Sequence, residues 1–352
     1  MSAEPTATDA AAPAARPRRR GGPTLGILML GILVVAALAL ASLAIGSRPI
    51  GLRSVAAALV AYDRADDLHL IVREVRLPRM IVAVLAGAAL GMAGAMMQAL
   101  TRNPLAEPGL LGINGGAATA VVLGVSLFHL AHVSHYVLCA AVGAGLAGVA
   151  VFALGRAGET GINPVRLLLA GAGISVTLAA VTGLVVLNAP PTVFEGFRTW
   201  MAGSLERSGF EAAVVLVVAV SAGLAVVLAH VDSLNALALG DDLGQALGAD
   251  PRRVWLLSCL SVMILAGAAT AAAGPIGFVG LIAPHLARAV AGPDQRRILA
   301  FSALFAAALL LGADMAGRVI AAPSEVPAGI VTALLGGPFF VAAVRRFRVG
   351  GR

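Results

Sequence analysis

The chain has 352 residues, 59% of them hydrophobic and only 12% charged, with a formal net charge of +7. A soluble domain carries about a quarter of its residues charged, so the composition excludes one and points to a polytopic membrane protein. All 25 basic residues are arginine, and the lack of lysine excludes a conventional phosphate-loop ATPase and Schiff-base catalysis. The arginines flank apolar runs, which reads as membrane anchoring rather than nucleic-acid binding. Cys139 and Cys259 both lie within apolar runs and offer no disulfide framework.

Residues 1–23 are rich in Ala, Pro and Arg and read as a disordered basic tail. The apolar run that follows, Thr24 to Gly46, is too long for a signal-peptide core and reads as a retained first span. A spanning helix needs about 20 largely apolar residues, and the charge-free intervals mark the candidates. Gly21 to Ser47 gives one span and Met80 to Thr101 a second. Pro108 to Gly155 holds two, broken by HLAHVSH at 129–135. Leu167 to Phe194 and Ala212 to Val231 give the fifth and sixth. Val254 to Ala287 is interrupted by GPIGFVG, which predicts a full helix and then a short one over Leu281 to Val290. Ile298 to Ala313 and Val326 to Val344 bring the total to about ten, with a short tail at 345–352. The fold class is therefore all-α and membrane-spanning, with the main domain over residues 24–344.

An even count puts both termini on one side, and the arginine bias makes that side cytoplasmic. Arg73, Arg76 and Arg79 then fall outside, against the bias, at three-residue spacing before the second span. By themselves they read as interfacial anchors. Between spans six and seven, the cytoplasmic loop 232–253 carries Ala238, Leu239, Leu243, Ala246 and Leu247 at helical spacing. Gly248 and Pro251 stop that short amphipathic helix. Span two carries Gly87, Gly91 and Gly94, the small-residue pattern of closely packed membrane helices. Asp314 stands four residues before Arg318, a spacing that forms a helical ion pair. His129, His132 and His135 lie in a short outer loop without a nearby carboxylate, and His285 has no second ligand at a supportive spacing. Packing or backbone hydrogen bonding is the preferred reading of all four, and no metal site is expected.

Six blocks then carry a resemblance. RLPR at 76–79, QALTRNPLAEPGLLG from 98, VRLLLAG from 165, LNALALGDDLGQALGAD from 234, AGPIGFVGLIAPHLAR from 273 and VPAGIVTALLGGPFF from 326 are similar to the FecCD-type permeases. These are the membrane subunits of type II ABC importers for iron–siderophores, haem and cobalamin. The resemblance runs in order from about residue 70 to residue 344 and implies a ten-helix permease with no catalytic residue. It implies that Arg76, Arg79 and Arg318 dock an extracytoplasmic substrate-binding protein, a role suited to arginine's planar, permanently charged fork. Leu239, Gly240, Asp241, Gln245, Ala246, Leu247 and Gly248 would form the coupling helix seated on an ATPase subunit. Asn163, Pro164 and Val165 would form the cytoplasmic gate, Pro164 also suiting a helix start.

The expected partners are two ATPase subunits, the external binding protein, a second permease copy and the lipid bilayer, with no nucleic acid. No cofactor is expected in this chain, ATP and Mg belonging to the ATPase. The expected place is a bacterial cytoplasmic membrane. An ion-gradient-driven secondary transporter is the alternative; it needs acidic residues or broken helices near the membrane midplane, and Asp314 is the acidic residue nearest a span interior.

Overall fold

The computed structural model describes residues 22–128, 130, 133–156, 164–206 and 208–349. Every regular element among them is helical. In chain order the α-helices are α1 (Gly22–Ala44), α2 (Leu52–Val60), α3 (Asp67–Leu70) and α4 (Leu77–Thr101), then α5 (Ile113–Phe128), α6 (Val133–Arg156) and α7 (Pro164–Leu187). They continue with α8 (Pro191–Met201), α9 (Phe210–Leu237), α10 (Asp241–Ala246), α11 (Pro251–Ala273), α12 (Val279–Ala291), α13 (Gln295–Ile320) and α14 (Ala328–Val349). A π-helical stretch, Ile71–Arg76, runs into α4, and a short 3-10 turn, Pro108–Leu111, precedes α5.

Seven of these segments are long and apolar enough to cross a membrane, and three shorter apolar helices, in α5, α12 and α14, stand where the other three spans were expected. Their boundaries follow local chemistry. Pro164 and Pro251 stand in the first turn of α7 and α11, where a missing N–H costs nothing. The Asp250 carboxylate accepts from the Arg252 and Arg253 amides and caps α11. Asp294 caps α13 by accepting from the Arg296 amide. The fifth span ends earlier than expected: α7 stops at Leu187, and Phe194 belongs to the separate α8. Asn188-Ala-Pro-Pro explains the break, because the residue before a proline is driven out of helical backbone. The segment 47–71, without pattern in the sequence, folds into α2, α3 and the start of the π-helical stretch.

Burial sorts the bundle into layers. In α4, α11 and α13 the most apolar windows are 72%, 67% and 61% buried within the chain, whereas α1 and α7 are 11% buried. Helix α4 touches α13 and α12 through small residues, as its glycine stripe predicts. A Cβ on Gly87 would lie 2.7 Å from Ala307 Cα of α13, and one on Gly94 only 1.8 Å from the Gly280 carbonyl oxygen of α12. Polar pairs add cross-helix bonds: His230 of α9 meets Ser258 of α11 at 3.1 Å, and Thr119 of α5 meets Thr182 of α7 at 2.9 Å.

The bundle has two distinct ends, joined by α4, whose 25 residues span about 37 Å. Arg79 in the first turn of α4 bonds Asp314 and Glu325, while Arg102, at its other end, bonds Asp241 of α10. Arg76 and Arg318 bond the last turn of α1, and Glu325 leads into α14, so α1 ends and α14 begins at the Arg79 end. Both described chain ends therefore lie at the α10 end, as the even crossing count requires.

The GPIGFVG break is deeper than a surface turn. Gly274 packs on the Trp200 carbonyl oxygen and Gly203, whose carbonyl in turn accepts from the Gly329 amide at the start of α14. From there the chain descends without helix to Phe278, and α12 covers only about 20 Å with its 13 residues. Opposite it, the chain after α4 turns back into the bundle. A Cβ on Gly280 would lie 2.9 Å from Leu90 O and 3.2 Å from Pro108 Cδ, which places Pro108 level with Leu90 rather than with Thr101. Irregular backbone at such depth is tolerated because protein covers it.

Candidate functional site

At one end of the bundle the arginines form a closed network. Arg79 Nε and Nη2 donate to Asp314 Oδ1 at 2.9 and 2.7 Å, and its Nη1 reaches Glu325 Oε2 at 2.7 Å. Arg318 Nη2 pairs with Asp314 Oδ2 at 2.9 Å, the ion pair expected from the four-residue spacing. Arg318 Nη1 also donates to the carbonyls of Ser42 and Ile45 at 2.9 and 3.0 Å. Arg76 Nη1 donates to those of Leu43 and Ala44, both at 2.8 Å, and its Nη2 to Arg48 O. The last carbonyls of a helix have no partner inside it. Here two guanidinium groups supply donors, and their positive charge suits the negative end of the α1 dipole.

Arg76, Arg79 and Arg318, the residues expected to dock an external binding protein, are 6%, 6% and 4% exposed, and Asp314 is 1% exposed. All three guanidinium groups are engaged in hydrogen bonds within the chain. Arg73 is the arginine of the same stretch that faces outward, with its guanidinium 4.6 Å over the Tyr62 ring. Changing Arg76 to Ala removes two bonds to the end of α1 and one to Arg48 O just beyond it. Hydrogen exchange at residues 43–48 should then accelerate, and stability should fall by about 1–3 kcal/mol.

At the other end, residues 238–248 form a compact turn around α10. Gly240 (φ 115°) and Gly248 (φ 88°) flank it in backbone that side chains rarely adopt. Gly244 is buried; a Cβ there would lie 2.7 Å from the Leu237 side chain. The turn is held to α4 by Arg102, itself left-handed (φ 51°), whose Nη2 meets Leu237 O at 3.2 Å and Asp241 Oδ1 at 2.5 Å. Asp232 and Arg296 pair beside it. Amid these charges Leu239, Leu243 and Leu247 project outward, 65%, 51% and 62% exposed, with Gln245 and Ala246 also exposed.

Of the expected gate, Asn163 lies outside the described residues, Pro164 opens α7 and Val165 is exposed. His129 and His132 also lie outside them. His285 sets its ring edge-on to Phe339 of α14, centroids 5.3 Å apart. No group of three His, Cys, Asp or Glu that could hold a metal occurs among the described residues.

Four participants escaped the sequence reading: Arg102, Glu107, Gly244 and Glu325. Glu107 is the most informative, since its Oε1 accepts from the Phe278 amide at 2.8 Å, at the start of α12 inside the bundle. Sequence placed it in a loop, and only the re-entry after α4 carries it to that depth.

A sequence profile of the FecCD transport family matches residues 32–346. This chain belongs to the FecCD transport family. It is 43% identical over 282 residues to the ferric enterobactin transport system permease protein FepD of Escherichia coli (strain K12), covering 80% of this chain and 84% of that one. It is 39% identical over 279 residues to the hemin transport system permease protein HmuU of Yersinia pestis, covering 78% and 83%. A solved structure described as an inward-facing metal-chelate type ABC transporter superposes with a TM-score of 0.77 at 27% identity, covering 92% of this chain and 99% of that one. The ten apolar crossings are thus those of an ABC importer permease.

Proposed function

We propose that the chain is the translocation subunit of an ATP-driven importer of an iron chelate in a bacterial cytoplasmic membrane. The observation that carries this reading is the exposed trio Leu239, Leu243 and Leu247, projecting from a turn otherwise ringed by charge. Three large apolar side chains stand exposed among ion pairs, and such a patch is what a protein partner buries. In the resemblance that partner is an ATPase subunit, which supplies the ATP and Mg chemistry; the α10 end is then cytoplasmic. Arg102 and Asp241 carry the force of nucleotide-driven closure to α4, the most buried helix. Pro164 and Val165, which open α7, form the gate together with Asn163 just before them in sequence. The functional unit is two copies of this chain with two ATPase subunits.

The external binding protein docks at the arginine end. A role for Arg76, Arg79 and Arg318 there requires the buried network to open. Glu325, the most exposed of its carboxylates, is the one a partner glutamate would replace. Siderophore–iron is the favoured cargo, because the relative at 43% identity is named for ferric enterobactin transport, with haem next after the hemin permease at 39%. An ion-gradient-driven transporter needs an available carboxylate at a helix break. Glu107 stands at such a break but is committed to the Phe278 amide, and Asp314 is committed to two arginines.

The test combines co-purification with uptake. Leu239→Asp with Leu243→Asp, at normal membrane level, is expected to lose the ATPase subunit on purification. It should lower uptake of the cognate labelled chelate at least about tenfold, the scale of one buried charge at an interface. Uptake of iron–siderophore, haem and cobalamin in a strain lacking the gene, with and without the wild-type chain, names the cargo. Full uptake by the double variant, or wild-type uptake that persists without any ATPase, would sink the importer reading.

A further inference from the structure

The bundle holds a cavity of about 790 Å³ at the α10 end, between the last turns of α4 and α9 and helices α10 to α13. Its size is that of a small-molecule site. Its walls combine apolar surface, including Leu100 and Trp255, with Arg102, Arg252 and Arg288. Two aspartates also line it, and both are engaged: Asp241 pairs with Arg102, and Asp250 caps α11. Arg288 is different. It is half-buried on α12, its Nη1 donates to the neutral Gln98 Oε1 at 2.5 Å, and no carboxylate among the described residues forms an ion pair with it. A cation held below the protein surface without a counter-charge calls for an anion. A second feature marks the same cavity: Gln295 Oε1 is buried and has no hydrogen-bond partner among the described residues, so it lacks a donor.

We infer that this cavity binds a phosphate oxyanion, with Arg288 as its principal cation. The phosphate oxygens accept from the guanidinium, and rotation of the Gln295 side chain toward the cavity would bring its unpartnered Oε1 to a hydroxyl on the bound group. The apolar walls favour the headgroup of an anionic phospholipid such as phosphatidylglycerol, which brings both the charge and the hydroxyls. Basic pockets between membrane helices select such headgroups. The inference goes beyond the transport reading and does not depend on it.

The test uses the full-length chain in neutral detergent. Trp200 and Trp255 are its two tryptophans. Trp200→Phe leaves Trp255, in the cavity wall, as the sole indole reporter. Short-chain phosphatidylglycerol, the matching phosphatidylcholine and sodium phosphate against sodium chloride of equal ionic strength are titrated in turn. Phosphatidylglycerol is expected to change Trp255 emission saturably and to raise the thermal midpoint, with phosphatidylcholine and chloride inert. Sodium phosphate acting as well as the lipid would assign the site to free phosphate; phosphate without effect would assign it to the headgroup. Arg288→Gln should weaken binding about tenfold, the scale of one charge-assisted hydrogen bond, and Arg288→Lys less. If Arg288→Gln does not fold, Gln295→Leu gives the second reading and should weaken the lipid a few-fold by removing the acceptor. Equal responses to all four additives, or undiminished binding by each folded variant, would overturn the inference.

Discussion

Asp314→Asn should destabilise the folded chain by about 3–5 kcal/mol, the cost of leaving buried charge unpaired. The substitution keeps the size of the side chain and removes its charge. Arg79 then keeps Glu325 as its charged partner and Arg318 keeps none, the asparagine oxygen offering only a neutral acceptor, while the two arginines stay 6% and 4% exposed. The network ties α4, α13, the end of α1 and the approach to α14, and Asp314 is its link between α4 and α13. Thermal unfolding in detergent measures the effect, with the level of folded protein in membranes as a second reading. A triple change of Arg79, Arg318 and Asp314 to Leu should recover part of the loss relative to Asp314→Asn, since the unpaired charges leave with their partner. An unchanged midpoint in Asp314→Asn would show that the arginines turn outward to water.

Gly94→Val should be comparably damaging. Its Cβ would lie 1.8 Å from the Gly280 carbonyl oxygen, and the nearest atoms are all backbone, so no side chain can rotate away. Overpacking of a rigid core costs about 1–3 kcal/mol, and a clash this close belongs at or above the upper end. Relief requires α12 to move off α4, carrying Phe278 away from Glu107 and opening the break inside the bundle. The expected readings are a lower thermal midpoint and less folded protein in the membrane. Gly312→Ala on α13 is the matched control. A Cβ there meets nothing within 4 Å, and alanine is the better helix former by about 1 kcal/mol, so stability should hold or rise. Equal tolerance of both changes would mean that α4 and α12 are not in backbone contact.

Hydropathy was enough to find the crossings, because lipid demands about 20 apolar residues per span whatever the neighbouring helices do. Each expected span has a helix over it, and Pro164, Gly248 and Pro251 marked local starts and stops through properties of their own backbone. The glycines of α4 announced close packing but not which helix each would meet. Asp314 and Arg318 were legible as a pair, since one helix sets their distance. Arg79, 235 residues away from Asp314 in sequence, was not, because only the packing of α4 on α13 joins them.

The same limit explains the arginine cluster. Charge beside a span reads as surface in any sequence, for burying it normally costs too much. Here the free carbonyls ending α1, the Asp314 carboxylate and Glu325 converge on three guanidinium groups and offset that cost. Likewise, nothing local in NPLAEPG tells that Glu107 turns back to the start of α12, or that Arg288 lines a cavity without a carboxylate paired to it. Number, order and kind of helix follow from what each segment must do in lipid, one segment at a time. Which charges are buried, and against what, follows only when segments far apart in the chain are packed together.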